Sequence, residues 1–486
     1  MMFSFKSIIA SALLLLGAVQ AIGAETDSFL CQTITLPTKG MNTRFADLNG
    51  GGRFDLLAVD SFGKQLLIYR QRADGFTNTP DQIIDLPPQT GWIAPARVGA
   101  TVAARQRRPT GTNFDLLVST ATGMVYYRQV GGAFEAKPRV LFKADQVFTA
   151  NTSPNLLRAF TNAAIPVMSA TQAWLYRRND QLEWTSSPPM LLEAQHGNWS
   201  GYLNGWSGWY MGPDAGRTLK VEQRYLSRPE PGVTYMPEND GIAKLIATLK
   251  KNAPSSLPPG TTQVDLDGNG RKDLVVWQSS VQAYHTDVYV FLRGADGQLP
   301  ERPTQILHCR GVPIYINSAW TPIADLKNDG RYELVLLEPD FIVTSIGGLV
   351  DLALTRGVKL AITVRTFSHG EFARTAETAV SFRALFSIYG SWEWPFLIRG
   401  DFNGDGRPDL IVKRSATQWE IYYSTGEGHW FEPQPSMTFE LPGQSYFERR
   451  YFDTTDINGD GRSDIVSHDL DDPRTFIFLT QPERLP

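Results

Sequence analysis

Short apolar runs rich in β-branched and aromatic residues recur along the chain, each bounded by polar breaks that contain glycine. Leu274-Val-Val-Trp277 and Leu410-Ile-Val412 are of this kind. A second, aromatic run follows, such as Leu66-Leu-Ile-Tyr69, Val288-Tyr-Val-Phe291 or Glu420-Ile-Tyr-Tyr423. A third then reads like Gln82-Ile-Ile-Asp-Leu86 or Met437-Thr-Phe-Glu-Leu441. Runs this short, with turn residues between them, predict antiparallel meanders. One stretch, Ile242-Ala-Lys-Leu-Ile-Ala-Thr-Leu249, reads instead as helix and precedes a proline-rich run over 254–259.

The breaks themselves repeat. Asp47-Leu-Asn-Gly-Gly-Gly-Arg-Phe-Asp55, Asp265-Leu-Asp-Gly-Asn-Gly-Arg-Lys-Asp273, Asp325-Leu-Lys-Asn-Asp-Gly-Arg-Tyr-Glu333, Asp401-Phe-Asn-Gly-Asp-Gly-Arg-Pro-Asp409 and Asp456-Ile-Asn-Gly-Asp-Gly-Arg-Ser-Asp464 share one pattern. Two weaker copies keep the strands without the loop: Phe114-Asp-Leu-Leu-Val118 with Met124-Val-Tyr-Tyr127, and Ile165-Pro-Val-Met168 with Ala173-Trp-Leu-Tyr176. That makes seven units, and the interval from Ile165 to Asp273 leaves room for an eighth. A lone meander cannot bury both faces, so the units must pack on each other, and radial packing gives an all-β, seven-bladed propeller. The last unit runs out after Thr475-Phe-Ile-Phe-Leu479, and Thr33-Ile-Thr-Leu36 resembles the outer run Met437–Leu441. The N-terminal segment is therefore expected to complete the last sheet and remove its exposed edge.

The shared pattern places oxygen-bearing side chains at positions one, three, five and nine, with glycine at six for a tight turn. Calcium takes 6–8 oxygen ligands, and converging carboxylates repel one another unless a cation lies between them. Three sets are complete: Asp265, Asp267, Asn269 and Asp273; Asp401, Asn403, Asp405 and Asp409; Asp456, Asn458, Asp460 and Asp464. The first loop offers Asp47, Asn49 and Asp55 but has Gly51 at position five. The loop at 325–333 has Lys327 at position three, which sets an ammonium where a cation should go. Asx-rich turns are the alternative, because Asp, Asn and Gly favour such turns without metal. The expectation is three to four structural calcium ions.

These loops resemble the FG-GAP/VCBS repeats of secreted bacterial propellers and of integrin α-chain heads, from residue 47 to 464. The resemblance implies that the backbone carbonyl at position seven (Arg271, Arg407, Arg462) is a further ligand. It also implies that the metal loops share one face, with the connections between units on the other. Trp92, Trp320, Trp392, Trp394, Tyr446 and Phe447 precede first strands and would lie on that second face. So would the insertion 193–262, which carries Trp199, Tyr202, Trp206, Trp209 and Tyr210. These aromatics either pack a subdomain or stack on a carbohydrate or a cell-surface protein. The candidate ligand-binding residues are Trp92, Trp199, Tyr202, Trp206, Trp209, Trp320 and Trp394.

Composition and charge narrow the partners. The formal charge of −4 gives no electrostatic reason to expect nucleic acid. Met1 to Ala24 reads as a signal peptide: Lys6, an apolar run Ile8 to Val19, then Ala21 or Ala24 for cleavage. The run is shorter than a membrane span, so a secreted mature chain of residues 25–486 with no transmembrane segment is expected. Cys31 and Cys309 are expected on well-separated units, unbridged. None of the six histidines sits in a metal or nucleophile motif, and Gly205-Trp-Ser-Gly208 lacks the setting of a nucleophile elbow. The sequence thus reads as a binding or adhesion module. The alternative is a polysaccharide lyase using His196, Tyr202 and Tyr210.

Overall fold

The computed structural model describes residues 28–96, 114–143, 239–252, 259–339, 357–385 and 396–481, apart from short breaks, and strands alone between 156 and 220. The leader at 1–24, Trp92, His196, Trp199, Tyr202, Trp206, Trp392, Trp394, Tyr446 and Phe447 lie outside the described residues. Trp209, Tyr210 and Trp320 are described only as members of the strands Trp209–Met211 and Ala319–Thr321.

Among the described residues there are seven sheets of four to six strands, and the pairing is antiparallel within each meander. The sheet formed by Gly260–Val264, Asp273–Ser280, His285–Phe291 and Gln305–Arg310 is typical, with its strands side by side in chain order. All five acidic loops join the first and second strands of a sheet. The first strand was not legible in the runs that mark the other three. Gly260–Val264 is half-buried along its whole length and shows no alternation. The N-terminal segment behaves as expected: Phe29–Thr35 pairs antiparallel with Arg474–Thr480, from Phe29 opposite Thr480 to Thr35 opposite Arg474. Two further strands add to inner edges in parallel, Leu156–Leu157 beside Asn42–Ala46 and Ile314–Ile316 beside Phe396–Ile398.

The two-residue period of a strand sends neighbouring side chains to opposite faces, and here each face meets a different sheet. Leu57 packs with Leu116 and Val118 of the next sheet, while Leu56 packs with Ile34, Val466 and Ile477 of the sheet that joins the two ends of the chain. Ile411 faces that same joined sheet through Phe29 and Phe478, and Leu410 faces Val335 and Ile362. Leu334 in turn meets Val275, Val288 and Leu307. Six sheets are thereby linked face to face through the sheet holding Phe29–Thr35. Each aliphatic side chain buried this way is worth about 1.5–3 kcal/mol.

A polar contact recurs between neighbours. Gln82, on an outer strand, donates from Nε2 to Phe134 O (2.7 Å) and accepts the Phe134 N–H at Oε1 (2.9 Å). Gln305 does the same with Phe372 of the following sheet, at 2.8 and 2.9 Å. Gln32, on the N-terminal strand that completes the last sheet, accepts the Phe76 N–H (3.0 Å) and donates to Asp74 O (2.8 Å) of the first sheet. An outer-strand amide thus stands in for a peptide group and pairs with a hairpin of the next unit. Glycine suits position 75, where φ is 99° and a Cβ, 1.9 Å from the Gln32 amide, would push that amide out of the contact.

The helix-like stretch forms the helix Asp240–Asn252. Asn239 caps it, accepting the Ile242 N–H at 3.0 Å, a contact worth about 1 kcal/mol. The same Asn239 donates to Leu299 O (2.9 Å), so it meets a hairpin of the 260–310 sheet much as the outer-strand glutamines meet theirs. Ile242, Ile246 and Leu249 lie at the helical spacing of one face and bury against Leu274, Val276 and Phe291. No described helix is long and apolar enough to cross a membrane. Cys31 and Cys309 sit on different sheets, and no disulfide joins them.

Candidate metal centres

Each acidic loop is first a set of Asx turns. In the 401–409 loop, Asp401 Oδ1 accepts the Gly404 and Asp405 N–H groups (2.7 and 3.0 Å), and its Oδ2 accepts the Gly406 N–H (2.7 Å). Asp456 holds Gly459, Asp460 and Gly461 the same way. Asp265 holds Asn269 and Gly270, and Asp47 holds Asn49, Gly50, Gly51 and Gly52. At position six the glycine has positive φ in every loop, 81° at Gly270 and 86° at Gly406, a region that other residues enter only with strain.

Position nine has a second role that the sequence did not reveal. Asp273, Asp409 and Asp464 are fully buried, and each carboxylate is a clamp. One oxygen accepts the N–H of loop position two: Leu266 at 2.8 Å, Phe402 at 2.7 Å, Ile457 at 2.8 Å. The other accepts an N–H at the end of the third strand or just past it: Arg293, Ser424 and Thr480, each at 2.8 Å. Asp115, in the weak copy at Phe114–Val118, makes the second of these contacts, accepting the Gln129 N–H at 3.1 Å. In the first loop Asp55 accepts Gln71 N–H (2.9 Å) and is paired with Arg70 Nη1 (2.7 Å) in place of the position-two N–H.

Burial pushes these carboxyls up. Asp409 rises to about 8 and Asp464 to about 7, burial outweighing the backbone N–H groups that pull them down, with the neighbouring loop carboxylates adding to the rise. Asp273 and Asp55 move in the same direction, also chiefly through burial. A cation reverses this balance. The donor set fits a hard one: oxygens of Asp265, Asp267 and Asp273 lie within 4.8 Å of one another, and a carboxylate oxygen bonded to one N–H keeps a lone pair for a metal. Asn269, Asn403 and Asn458 add amide groups beside the acidic side chains, at 2.8–3.0 Å from Asp267, Asp405 and Asp460. The position-seven arginines brace the loops, Arg271 on Gly294 O (2.9 Å) and Arg407 on Asp405 (2.5 Å).

Lys327 departs from its expected place. Its ammonium lies over the Trp430 ring of the next sheet, 4.6 Å from the centroid, so the side chain is drawn toward a neighbour's aromatic face. The loops also touch in succession. Ser424 Oγ donates to Leu326 O, Ser463 N to Asp401 O, Phe54 N to Ile457 O and Phe114 N to Leu48 O. Loops 401–409, 456–464 and 47–55 thus touch one after another, while the 325–333 and 47–55 loops also accept a bond from the following sheet.

The histidines are better placed than their sequence context implied. His285 and His308 converge on Asp287, each with a ring nitrogen 2.6 Å from Oδ1. The only sequence signal is His285 two residues before Asp287; the third member arrives through strand register, Asp287 opposite His308. His468 is a satisfied core histidine, bonded to Met41 O and Thr475 Oγ1.

No curated protein matches the chain. Residues 401–467, which contain the loops 401–409 and 456–464, match the family model of the FG-GAP-like repeat. Over that stretch the chain is similar to an FG-GAP-like repeat, and it is the stretch in which two complete loops and their aspartate clamps lie side by side.

Proposed function

We propose that this chain is a secreted, calcium-stabilised seven-bladed propeller that acts as a binding or adhesion module for carbohydrate or a cell-envelope protein. One observation carries the reading. Gln32 couples the last sheet to the first through the same amide-to-hairpin contact that couples two other consecutive pairs, so the contact pattern runs on across the joined ends. The number of sheets and the three acidic loops that touch in succession across the joined ends, 401–409, 456–464 and 47–55, support the same arrangement. Asp265, Asp401 and Asp456, with their partners at three, five and nine, hold calcium in three loops, and Asp47, Asn49 and Asp55 hold a weaker fourth. The ions fix the turn between the first two strands of a blade and relieve the buried carboxylates. The ligand surface is the opposite face, with Trp92, Trp199, Tyr202, Trp206, Trp209, Trp320 and Trp394 as its rings.

The test is a glycan array and a cell-envelope binding assay on the purified chain, with calcium and with chelator. Binding that needs calcium and is lost on Trp206→Ala and Trp209→Ala supports the module. Binding unaffected by those substitutions overturns the assignment of the face. Separately, deleting residues 28–40 is expected to abolish the single cooperative melt; a retained melt overturns the circular arrangement.

A further inference from the structure

The geometry points to a second kind of metal site, for a zinc-type divalent ion, formed by His285, Asp287 and His308 on the 260–310 sheet and unrelated to the calcium loops. His285 and Asp287 are two apart on the strand His285–Phe291 and so share a face. Asp287 stands directly opposite His308 on the outer strand Gln305–Arg310. Strand register therefore brings together three ligands from two short stretches, on the most regular part of the sheet. His285 Nε2 and His308 Nδ1 each lie 2.6 Å from the same Asp287 oxygen, and all three ligand atoms lie within 4.8 Å of one another. The two rings are near-parallel, 12° apart with centroids at 6.2 Å, so both present a nitrogen toward one point.

Chemistry selects the ion. Two imidazole nitrogens and one carboxylate are too few oxygens for calcium, which needs 6–8, and they match three-ligand zinc sites of His/carboxylate type. Zinc bonds of about 2.0–2.2 Å require neighbouring ligand atoms roughly 3.3–3.5 Å apart. Here the side chains are free enough to adjust, because His308 is 70% exposed and His285 41%. Strand pairing holds the backbone while these rotamers move. The opposite face of the same strands is buried, with Val288, Leu307 and Cys309 in the core shared with the next sheet. The three protein ligands leave a fourth position for water or for a donor from a bound partner.

Zinc titration by calorimetry tests this on the full chain, stripped with chelator and then saturated with calcium so that the acidic loops are filled. One equivalent of zinc is expected to bind. His308→Gln, at an exposed position, should weaken it by about a hundredfold or more while leaving the calcium-loaded melt unchanged, and Asp287→Asn should do the same. His429→Ala should bind zinc as the parent does. No zinc uptake by the calcium-loaded parent overturns the proposal, as does uptake undiminished in His308→Gln and in Asp287→Asn.

Discussion

The loops at 401–409 and 325–333 adopt the same turn with different chemistry. In both, the position-one aspartate holds the N–H groups of positions five and six, at 3.0 and 2.7 Å for Asp401 and at 3.1 and 2.9 Å for Asp325. In both, the position-nine carboxylate is buried and accepts the position-two N–H, Asp409 from Phe402 and Glu333 from Leu326. Among positions one, three, five and nine, only three differs in kind, Asn403 in one and Lys327 in the other. The turn is therefore a property of Asp, Gly and the backbone, and the metal affinity proposed for the complete loops would be a separate property laid over it. Lys327 shows what happens when the second is given up: its charge finds Trp430 on the neighbouring sheet.

The comparison breaks most readily on calcium itself. Chelation should lower the melting temperature by about 10 °C or more, since each saturated site contributes roughly 2–3 kcal/mol and three are expected; calcium, not magnesium, should restore it. An unchanged melt in a scanning calorimeter means the turns stand alone everywhere. Next come matched truncations. Asp405→Ala and Asp329→Ala each remove a side chain that accepts the N–H two residues on, Arg407 or Arg331; Asp405 also holds the Arg407 guanidinium and the Asn403 amide, so the calcium-free melts of both variants set the baseline. Asp405→Ala should lose one bound calcium and on the order of 2 kcal/mol in saturating calcium, whereas Asp329→Ala should keep the parent stoichiometry.

The third prediction concerns pH. Burial raises Glu333 to about 7, with Asp325 and Asp329 adding to the rise and Lys327 and the Leu326 N–H opposing it. The folded chain thus holds this proton to higher pH than the unfolded chain does, and stability from this group falls as pH rises from about 4.3 to 7. Glu333→Gln keeps an acceptor for the Leu326 N–H and should remove that fall, gaining on the order of 2 kcal/mol over the parent at pH 8 and little at pH 4. Denaturant midpoints at the two pH values decide it. The smallest effect is that of Lys327→Asn. It should add one calcium equivalent by metal analysis while losing about 0.5–1 kcal/mol of cation–π contact in calcium-free buffer.

The sequence showed what is local. Five in-register loops, the strands after them, the helix at Ile242–Leu249 and the pairing of Thr33–Leu36 with the last unit all rest on spacing within a few residues or on likeness between repeats. What it concealed is carried by register between distant segments. Gln82 and Phe134, or Gln305 and Phe372, look like unremarkable positions until an outer strand is laid beside the next unit's hairpin. Asp409 and Asp464 show the same limit, because position nine reads as one more ligand while its burial makes it the clamp between strands. The row Phe76, Phe134, Phe372 and Phe431, each near the end of the turn after a third strand, was the available signal for those hairpins.

The N-terminal strand also orders events in time. Phe29–Thr35 leaves the ribosome early, and its partner Arg474–Thr480 is made far later. In the interval its contacts with the first sheet, through Gln32 and the apolar Ile34 and Leu36, are already available to hold it. The first sheet thus acts as a berth for a strand belonging to the last. A polypeptide cut short before residue 474 would keep that strand moored with an open edge, a ready mark by which unfinished chains can be sorted from complete ones.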